Sequence, residues 1–357
     1  MLHLAKAFVT SGHKVDLLLC QTKGAFLDTV PSTINIVALK PSPSCMSRLQ
    51  ILMANPTLAL PLLLPVLLPR KPPKTIRYLS DLTTYLVREQ PNALLSAKTH
   101  ANLVAIWARK NADVRTRVVV SERSTMSTVI QNSQKWRWRF VRPLIQKVYP
   151  KADLIIAVSN GVADDVASHT DLSRDRITTI YNPMLTDHIK TQSILPASHP
   201  WFDTDKIPII LGVGRLVPAK DFSTLLKAFS HICAKRPARL VILGEGRERP
   251  ALEKLAVELG IASDLSLPGF EPNPYAYMAR AKVFVLSSLL EGLPNALIEA
   301  LACGCPVVST NCRSGPQEIL ANGAFGSLAP VGDDKALADA ILYTLDHPPN
   351  AERLRSR

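Results

Sequence analysis

The chain has 357 residues, of which 47% are apolar and 20% charged, with no acidic, glutamine-rich or serine-rich tract. That composition excludes a disordered or low-complexity protein and leaves room for two domains, each with its own core. The net charge is +13, and all of the excess lies in residues 1–190, which hold 25 Lys and Arg against 12 Asp and Glu. A basic half beside a neutral half points to an anionic partner for the first: membrane lipid, a phosphorylated acceptor or nucleic acid.

The opening stretch MLHLAKAFVTSGHKVDLLL carries Lys6 inside its apolar run. It reads as a helix, a turn and a strand over Val15–Cys20 rather than as a signal peptide. A second strand fits Ile34–Leu39. Ile51–Pro69 then breaks the pattern, with 19 uncharged residues followed by Arg70, Lys71, Lys74 and Arg77. The length approaches a membrane span, but Pro56, Pro61, Pro65 and Pro69 oppose a straight spanning helix. A shallow apolar insertion over residues 51–77, beside basic residues on an anionic membrane face, is the expectation, with a buried hairpin as the alternative.

Strand and helix patterns alternate from there on. Strands fit Ala93–Leu95, Arg117–Val120, Asp153–Val158 and Ile177–Ile180, then Ile209–Val213, Arg239–Leu243, Leu265–Pro268, Val283–Leu286 and Pro306–Ser309. Helices fit Ala101–Arg109, Val162–Ser168, Asp221–Lys235, Arg249–Leu259, Asn295–Ala302 and Lys335–Leu345. The alternation implies two α/β domains with largely parallel sheets. The expected boundaries are 1–185 for the first domain, 186–206 for a polar linker containing Pro196 and Pro200, 207–346 for the second domain and 347–357 for a tail. Six cysteines show no CxxC pair, and no histidines stand at zinc-ligand distances from Cys303, Cys305 and Cys312, so reduced buried thiols in a cytoplasmic protein are expected, without a metal.

The chemistry concentrates in the second half. In EGLPNALIEALACGCP, Glu291 sits on a loop before a helix that Pro294 suits, and Glu299 lies inside that helix. A helix opening behind a strand's C-terminal end is an anion site. Two carboxylates flanking a bound phosphate can each accept hydrogen bonds from sugar hydroxyls, which fits a nucleotide sugar. In GVGRLVPAKDF, Gly214, Arg215 and Lys220 follow a strand, and two cations there suit a pyrophosphate leaving group. The Gly244-Glu245-Gly246 turn, the LPGF edge with Phe270, and the Gly315-Pro316 helix start complete a series of strand–loop–helix joints. Each could be an ordinary joint or part of a ligand-binding rim.

Taken together, GVGRLVPAKDF, LVILGEGRERPALE, LPGF and SSLLEGLPNALIEALACGCPVVSTNCRSGPQEIL resemble the donor domain of the retaining glycosyltransferases of family 4, the bacterial-type group 1 enzymes of GT-B fold. The resemblance runs from about Ile177 to about Leu345. In the first half, GHKVDLLL, SAKTHANLVAIWARK, VVVSERSTMS and KADLIIAVSNGVADDV follow the family's order less closely. The resemblance implies two Rossmann-like domains facing a central cleft. It also implies that Arg215 and Lys220 bind the donor diphosphate, that Glu291 contacts the transferred sugar and Glu299 the ribose, and that the amides of Gly292 and Leu293 help hold sugar and phosphate. Glu122 and Arg123 fall where relatives place an acceptor-side residue, whereas His13 and His100 read as structural or solvated. The expected reaction is retaining, metal-independent transfer from a nucleotide diphosphate sugar, UDP by family habit, with no cofactor. The expected acceptor is a lipid-linked saccharide or polysaccharide at the inner face of the membrane.

The family's opening strand with its Gly-Gly loop, and its closing helix back to the first domain, have no counterpart in this sequence. A truncated, inactive sugar-nucleotide or membrane-binding module therefore stands beside the enzyme reading. Nucleic-acid binding finds no motif beyond the KWRWRF run at 135–140, and is not expected. A sugar-nucleotide epimerase shares the fold and is separated by its products.

Overall fold

The computed structural model describes residues 2–22, 27–54, 74–127, 141–184, 186–204 and 206–357. The chain divides into two compact units, the first ending at Pro183 and the second comprising 184–357 together with residues 159–161. Most of the apolar segment at 51–77, and the KWRWRF run, lie outside the described residues.

The first unit opens with α1 (Leu2–Thr10), β1 (Asp16–Leu19), β2 (Asn35–Ala38) and α2 (Ser44–Ala54). It continues through α3 (Leu79–Glu89), β3 (Ala93–Ala97), α4 (Thr99–Ala112), β4 (Arg117–Glu122), α5 (Val141–Val148), β5 (Leu154–Ala157), α6 (Asn160–Thr170) and β6 (Ile177–Thr179). β1 and β2 pair in parallel, and β3, β4, β5 and β6 form a second parallel sheet in chain order. Sequential parallel strands require crossover helices, and α4 supplies one, with Leu103–Ala108 buried along its length.

The second unit contains α7 (Thr186–Ser193), β7 (Ile209–Val213), α8 (Phe222–Cys233), β8 (Arg239–Leu243), α9 (Arg249–Glu258) and β9 (Leu265–Gly269). Then come α10 (Pro274–Met278), β10 (Val283–Leu286), α11 (Asn295–Ala302), β11 (Val307–Thr310), α12 (Pro316–Ile319), β12 (Ser327–Ala329), α13 (Asp334–Asp346) and α14 (Ala351–Ser356). Its six strands are all parallel, in the order β12-β11-β10-β7-β8-β9. The strands read as continuous apolar runs because helices cover both faces. Ile210, Leu240, Ile242, Val283, Val285 and Val308 pack with Leu225, Phe229 and Ile232 of α8 and with Leu337 and Ile341 of α13.

Two expected boundaries differ. Residues 186–206 are no free linker: Asn273 Nδ2 donates to Gln192 O at 3.0 Å, and Arg280 Nη1 to Ser193 O at 3.1 Å. The Arg239 guanidinium also stacks 4.7 Å from the Trp201 ring centre. Pro196 follows the end of α7 and Pro200 opens a short 3-10 helix, Pro200–Asp203, so neither extends a spacer. Residues 347–357 are no tail either, because α14 buries Leu354 and Arg357 Nε donates to Ile319 O at 2.8 Å.

The first unit also buries an acid. Glu122, at the end of β4, is only 2% exposed. Its Oε1 accepts from Tyr149 Oη and from Asn102 Nδ2, and its Oε2 from Thr99 Oγ1. Burial outweighs these donors and pushes the carboxyl from an ordinary 4.5 up to about 7. The folded protein then keeps a proton that the unfolded chain has lost, so this group's stabilisation is present below about pH 4.5 and is lost as pH rises through about 7. Glu122→Gln is expected to remove that share of the slope, on the order of 1–3 kcal/mol between about pH 5 and 8 in denaturant melts.

Candidate active site

All six strands of the second unit point their C-terminal ends to one edge, and the loops leaving that edge are tied to one another. After β7, the backbone N–H of Gly214 donates to Leu243 O at 2.9 Å, and that of Leu216 to Glu245 O at 2.9 Å. Gly244 N donates to Gly269 O at 2.7 Å, linking the ends of β8 and β9. The approach is so close that a Cβ on Gly244 would meet Gly214 O at 2.0 Å, and one on Gly246 would meet Leu216 O at 2.2 Å. Gly244 also has φ +140°, which disfavours any side chain. These glycines let the loops after β7 and β8 share one backbone layer.

Lys220 and Glu291 come together across that rim. Lys220 Nζ donates to Glu291 Oε1 at 2.5 Å. The backbone beneath them is locked too, since Ser287 Oγ donates to Lys220 O at 2.9 Å and Leu289 N to Ala219 O at 2.9 Å. Asp221 closes the Lys220 turn by capping α8, its Oδ1 accepting from the Thr224 backbone N–H at 3.4 Å and its Oδ2 from Thr224 Oγ1 at 2.6 Å. Arg215 lies exposed on the same loop as Lys220, and Phe270, 60% exposed, stands just past the end of β9.

Gly292, Leu293 and Pro294 are buried in the turn between Glu291 and α11. Pro294 is the residue before the helix rather than inside its first turn, with φ −73° and ψ 97° and no side-chain cap. The first-turn N–H groups of α11 therefore face the same edge as Lys220. Glu299 is the fifth of the eight residues of α11, partly buried, and burial pushes its carboxyl up to about 7. Burial, with a smaller contribution from Glu299, raises Tyr275 to about 12. Cys303 and Cys312 are also raised to about 12, chiefly by burial.

The structure thus brings Gly214, Arg215, Lys220, Gly244, Gly246, Phe270, Glu291, Gly292, Leu293 and Pro294 to one edge of the second unit. Glu122, expected on the acceptor side, is enclosed inside the first unit, where Tyr149, Asn102 and Thr99 donate to it. Its neighbour Arg123 is half-buried and donates to Asn182 Oδ1 at 2.8 Å. Three residues with no assigned role in the sequence reading hold the rim together. Ser287 and Ser288 follow β10, and Arg249 clamps Glu245 through two bonds, at 2.7 and 3.0 Å, while donating to Leu267 O at 3.0 Å. Glu245 stands on the loop four residues before Arg249, the first residue of α9, so no helical period announces the pair.

Two α/β units with parallel sheets are the architecture of GT-B glycosyltransferases, and the comparisons agree. Anabaena HepE in complex with UDP aligns over 99% of this chain and 90% of its own, with a TM-score of 0.72 at 16% identity. The lipopolysaccharide outer core galactosyltransferase WaaB aligns over 79% and 74%, with a TM-score of 0.61 at 21% identity. The sequence profile described as Glycosyltransferase Family 4 matches residues 1–188, and that described as Glycosyl transferases group 1 matches 197–357. The chain belongs to glycosyltransferase family 4.

Among curated relatives, it is 33% identical to an N-acetylgalactosamine-N,N'-diacetylbacillosaminyl-diphospho-undecaprenol 4-alpha-N-acetylgalactosaminyltransferase of Campylobacter jejuni, over 69% of this chain and 64% of the relative. It is 31% identical to the lipopolysaccharide core biosynthesis glycosyltransferase LpsE of Rhizobium meliloti, over 54% of each. The matches span less than two thirds of these relatives' lengths.

The glycine contacts yield a direct expectation. Gly246→Ala pushes a methyl group against the Leu216 carbonyl, and its cost is expected to be about 1–3 kcal/mol in chemical denaturation, with the rim loops losing hydrogen-exchange protection first.

Proposed function

We propose that this protein transfers a sugar, with retention of anomeric configuration, from a nucleotide diphosphate sugar to a lipid-linked saccharide or growing polysaccharide at a membrane surface. The Lys220–Glu291 pair at the opening of α11 carries the reading, because it places a cation and a sugar-binding acid side by side at an anion-binding helix start. On this reading Lys220 and Arg215 hold the diphosphate, Glu291 accepts a hydroxyl of the transferred sugar, and Glu299 accepts the ribose hydroxyls. Gly292 and Leu293 offer amides to the sugar and phosphate, while Phe270 and the β9 edge hold the base, with UDP as the nucleotide.

In the proposed step the bond from the sugar C1 to the β-phosphate oxygen breaks. The acceptor oxygen bonds C1 on the same face, and its proton passes to the departing phosphate oxygen. No protein nucleophile is consumed. The protein aligns the two substrates and stabilises the negative charge growing on the diphosphate. Lys220, Arg215 and the start of α11 supply the positive potential that a metal ion supplies elsewhere, which supports metal independence.

Purified protein, membranes and a panel of UDP-sugars test the reading through UDP release. Release that requires added lipid acceptor, and that falls at least about a hundredfold in Lys220→Ala and in Glu299→Ala, supports it. A folded protein that binds UDP-sugar but releases no UDP would instead establish a binding module without activity. The raised Glu299 carboxyl adds a pH signature, since only its ionised form accepts two hydroxyls. Donor affinity is expected to rise as pH passes upward through about 7. Glu299→Gln should flatten that rise in calorimetric titrations.

The membrane part of the proposal rests on the charge of the first half and on α2. Met46, Leu49 and Met53 are exposed along one stripe of that helix at spacings of three and four, and Met53 is 70% exposed. No helix among the described residues is long and apolar enough to cross a membrane. Replacing the three by Ser is expected to weaken binding to phosphatidylglycerol-containing vesicles roughly tenfold in co-sedimentation, and raised salt should weaken binding of the unaltered protein.

A further inference from the structure

Ser288 lies two residues beyond β10 and is completely buried, at 0% exposure. Its carbonyl accepts from Thr310 Oγ1 at 2.6 Å, which pins it to the end of the neighbouring strand β11. Its hydroxyl donates to Glu291 Oε1 at 2.7 Å. Lys220 Nζ reaches that same oxygen at 2.5 Å. Both contacts therefore fall on Oε1, and Oε2 of Glu291 has no protein hydrogen bond among the described residues. A carboxylate held through one oxygen by two donors is fixed in direction, while its second oxygen keeps full accepting capacity.

We infer that Ser288 is a positioning residue that keeps Glu291 aimed at the donor's sugar while Lys220 turns to the diphosphate. The inference rests on the donor reading proposed above. Lys220 faces two anions once a donor arrives, the Glu291 carboxylate and the diphosphate, and it is the longer and more flexible of the two anchors. Ser288 has no such competing demand. It sits on a short side chain, and its backbone is tied to β11 through Thr310. As Lys220 shares its protons with the diphosphate, the Ser288 hydroxyl becomes the anchor that preserves the Glu291 rotamer. The chain then distinguishes a nucleotide diphosphate that carries a sugar from one that does not, through an oxygen that Ser288 does not touch. Cys312, buried near Lys220 and Glu291, is held as a thiol chiefly by burial and adds no competing charge.

The test compares calorimetric affinities of the full chain for UDP and for UDP-glucose, UDP-galactose, UDP-N-acetylglucosamine and UDP-N-acetylgalactosamine. Ser288→Ala is expected to leave the UDP affinity within about twofold, and to weaken the preferred UDP-sugar by on the order of tenfold, the size of one lost charge-assisted hydrogen bond. Ser288→Cys keeps the volume and donates weakly, so it should show the same split if the Ala variant does not fold. In a Glu291→Ala background, Ser288→Ala should add no further loss, because the anchor then has nothing to hold. Equal weakening of UDP and UDP-sugar, or a full additional loss in the Glu291→Ala background, would overturn the positioning role while leaving the donor reading intact. Absence of UDP binding by the unaltered protein would overturn the donor reading, and this inference with it.

Discussion

The six strands of the second unit all run the same way, and that constraint organises everything at the candidate site. Parallel strands must be joined by crossovers, so each strand delivers a loop and a helix start to the same edge. Gly214 to Lys220, Gly244 to Gly246, the end of β9 and the turn at Glu291 to Pro294 are distant in sequence and adjacent in space for this one reason. The apolar core beneath, from Ile210 to Ile341, makes the alignment rigid. The loops above it then add their own ties, strand end to strand end, and the rim is shaped before any ligand reaches it.

Much of the second unit was legible because its local signals agree with one another. Apolar runs of four or five residues, each followed by a glycine turn and a helical period, leave little freedom in assignment, and β7, β8, β10 and α11 fall on the expected residues. What could not be read was the part decided by partners. Residues 186–206 look polar and broken by proline, yet Trp201 and Ile189 find apolar and cationic neighbours that only the folded unit supplies. Ser288 is a small hydroxyl in a loop, and nothing along the chain announces that its proton meets a carboxylate three residues on. The short strand β12, only three residues long, carries too few residues for a period to show.

The first unit teaches the opposite lesson. Glu122 stands at a strand's C-terminal end, where acids so often face ligands, and the motif around it reads as functional. The side chain instead turns inward to Tyr149, Asn102 and Thr99, and what reaches the surface in part is its neighbour Arg123. The end of β4 is enclosed on both sides, with Val120, Ser121 and Glu122 all buried, whereas Arg123 lies just past the strand. Whether a polar residue at a strand end is covered depends on the elements packed over it, which the local sequence does not show. Two acids of this half, Glu122 and Asp165, are buried.

Helix α11 joins the turn at Glu291 to Glu299, and it is restrained at both ends. Pro294 and the buried turn hold its start, and Arg355 Nη2 reaches the carbonyl of Cys303, just past its end, at 3.4 Å. On the proposed reading, the interval between the two acids is set by the buried turn at Gly292–Pro294 and about one turn of helix, and not by loop flexibility. The protein then carries a fixed gauge for the distance from sugar to ribose. A donor with one phosphate too few or too many can engage either acid, but not both at once. Ligand length itself becomes a criterion of selection, enforced by a helix that touches no part of the phosphate chain beyond its first turn.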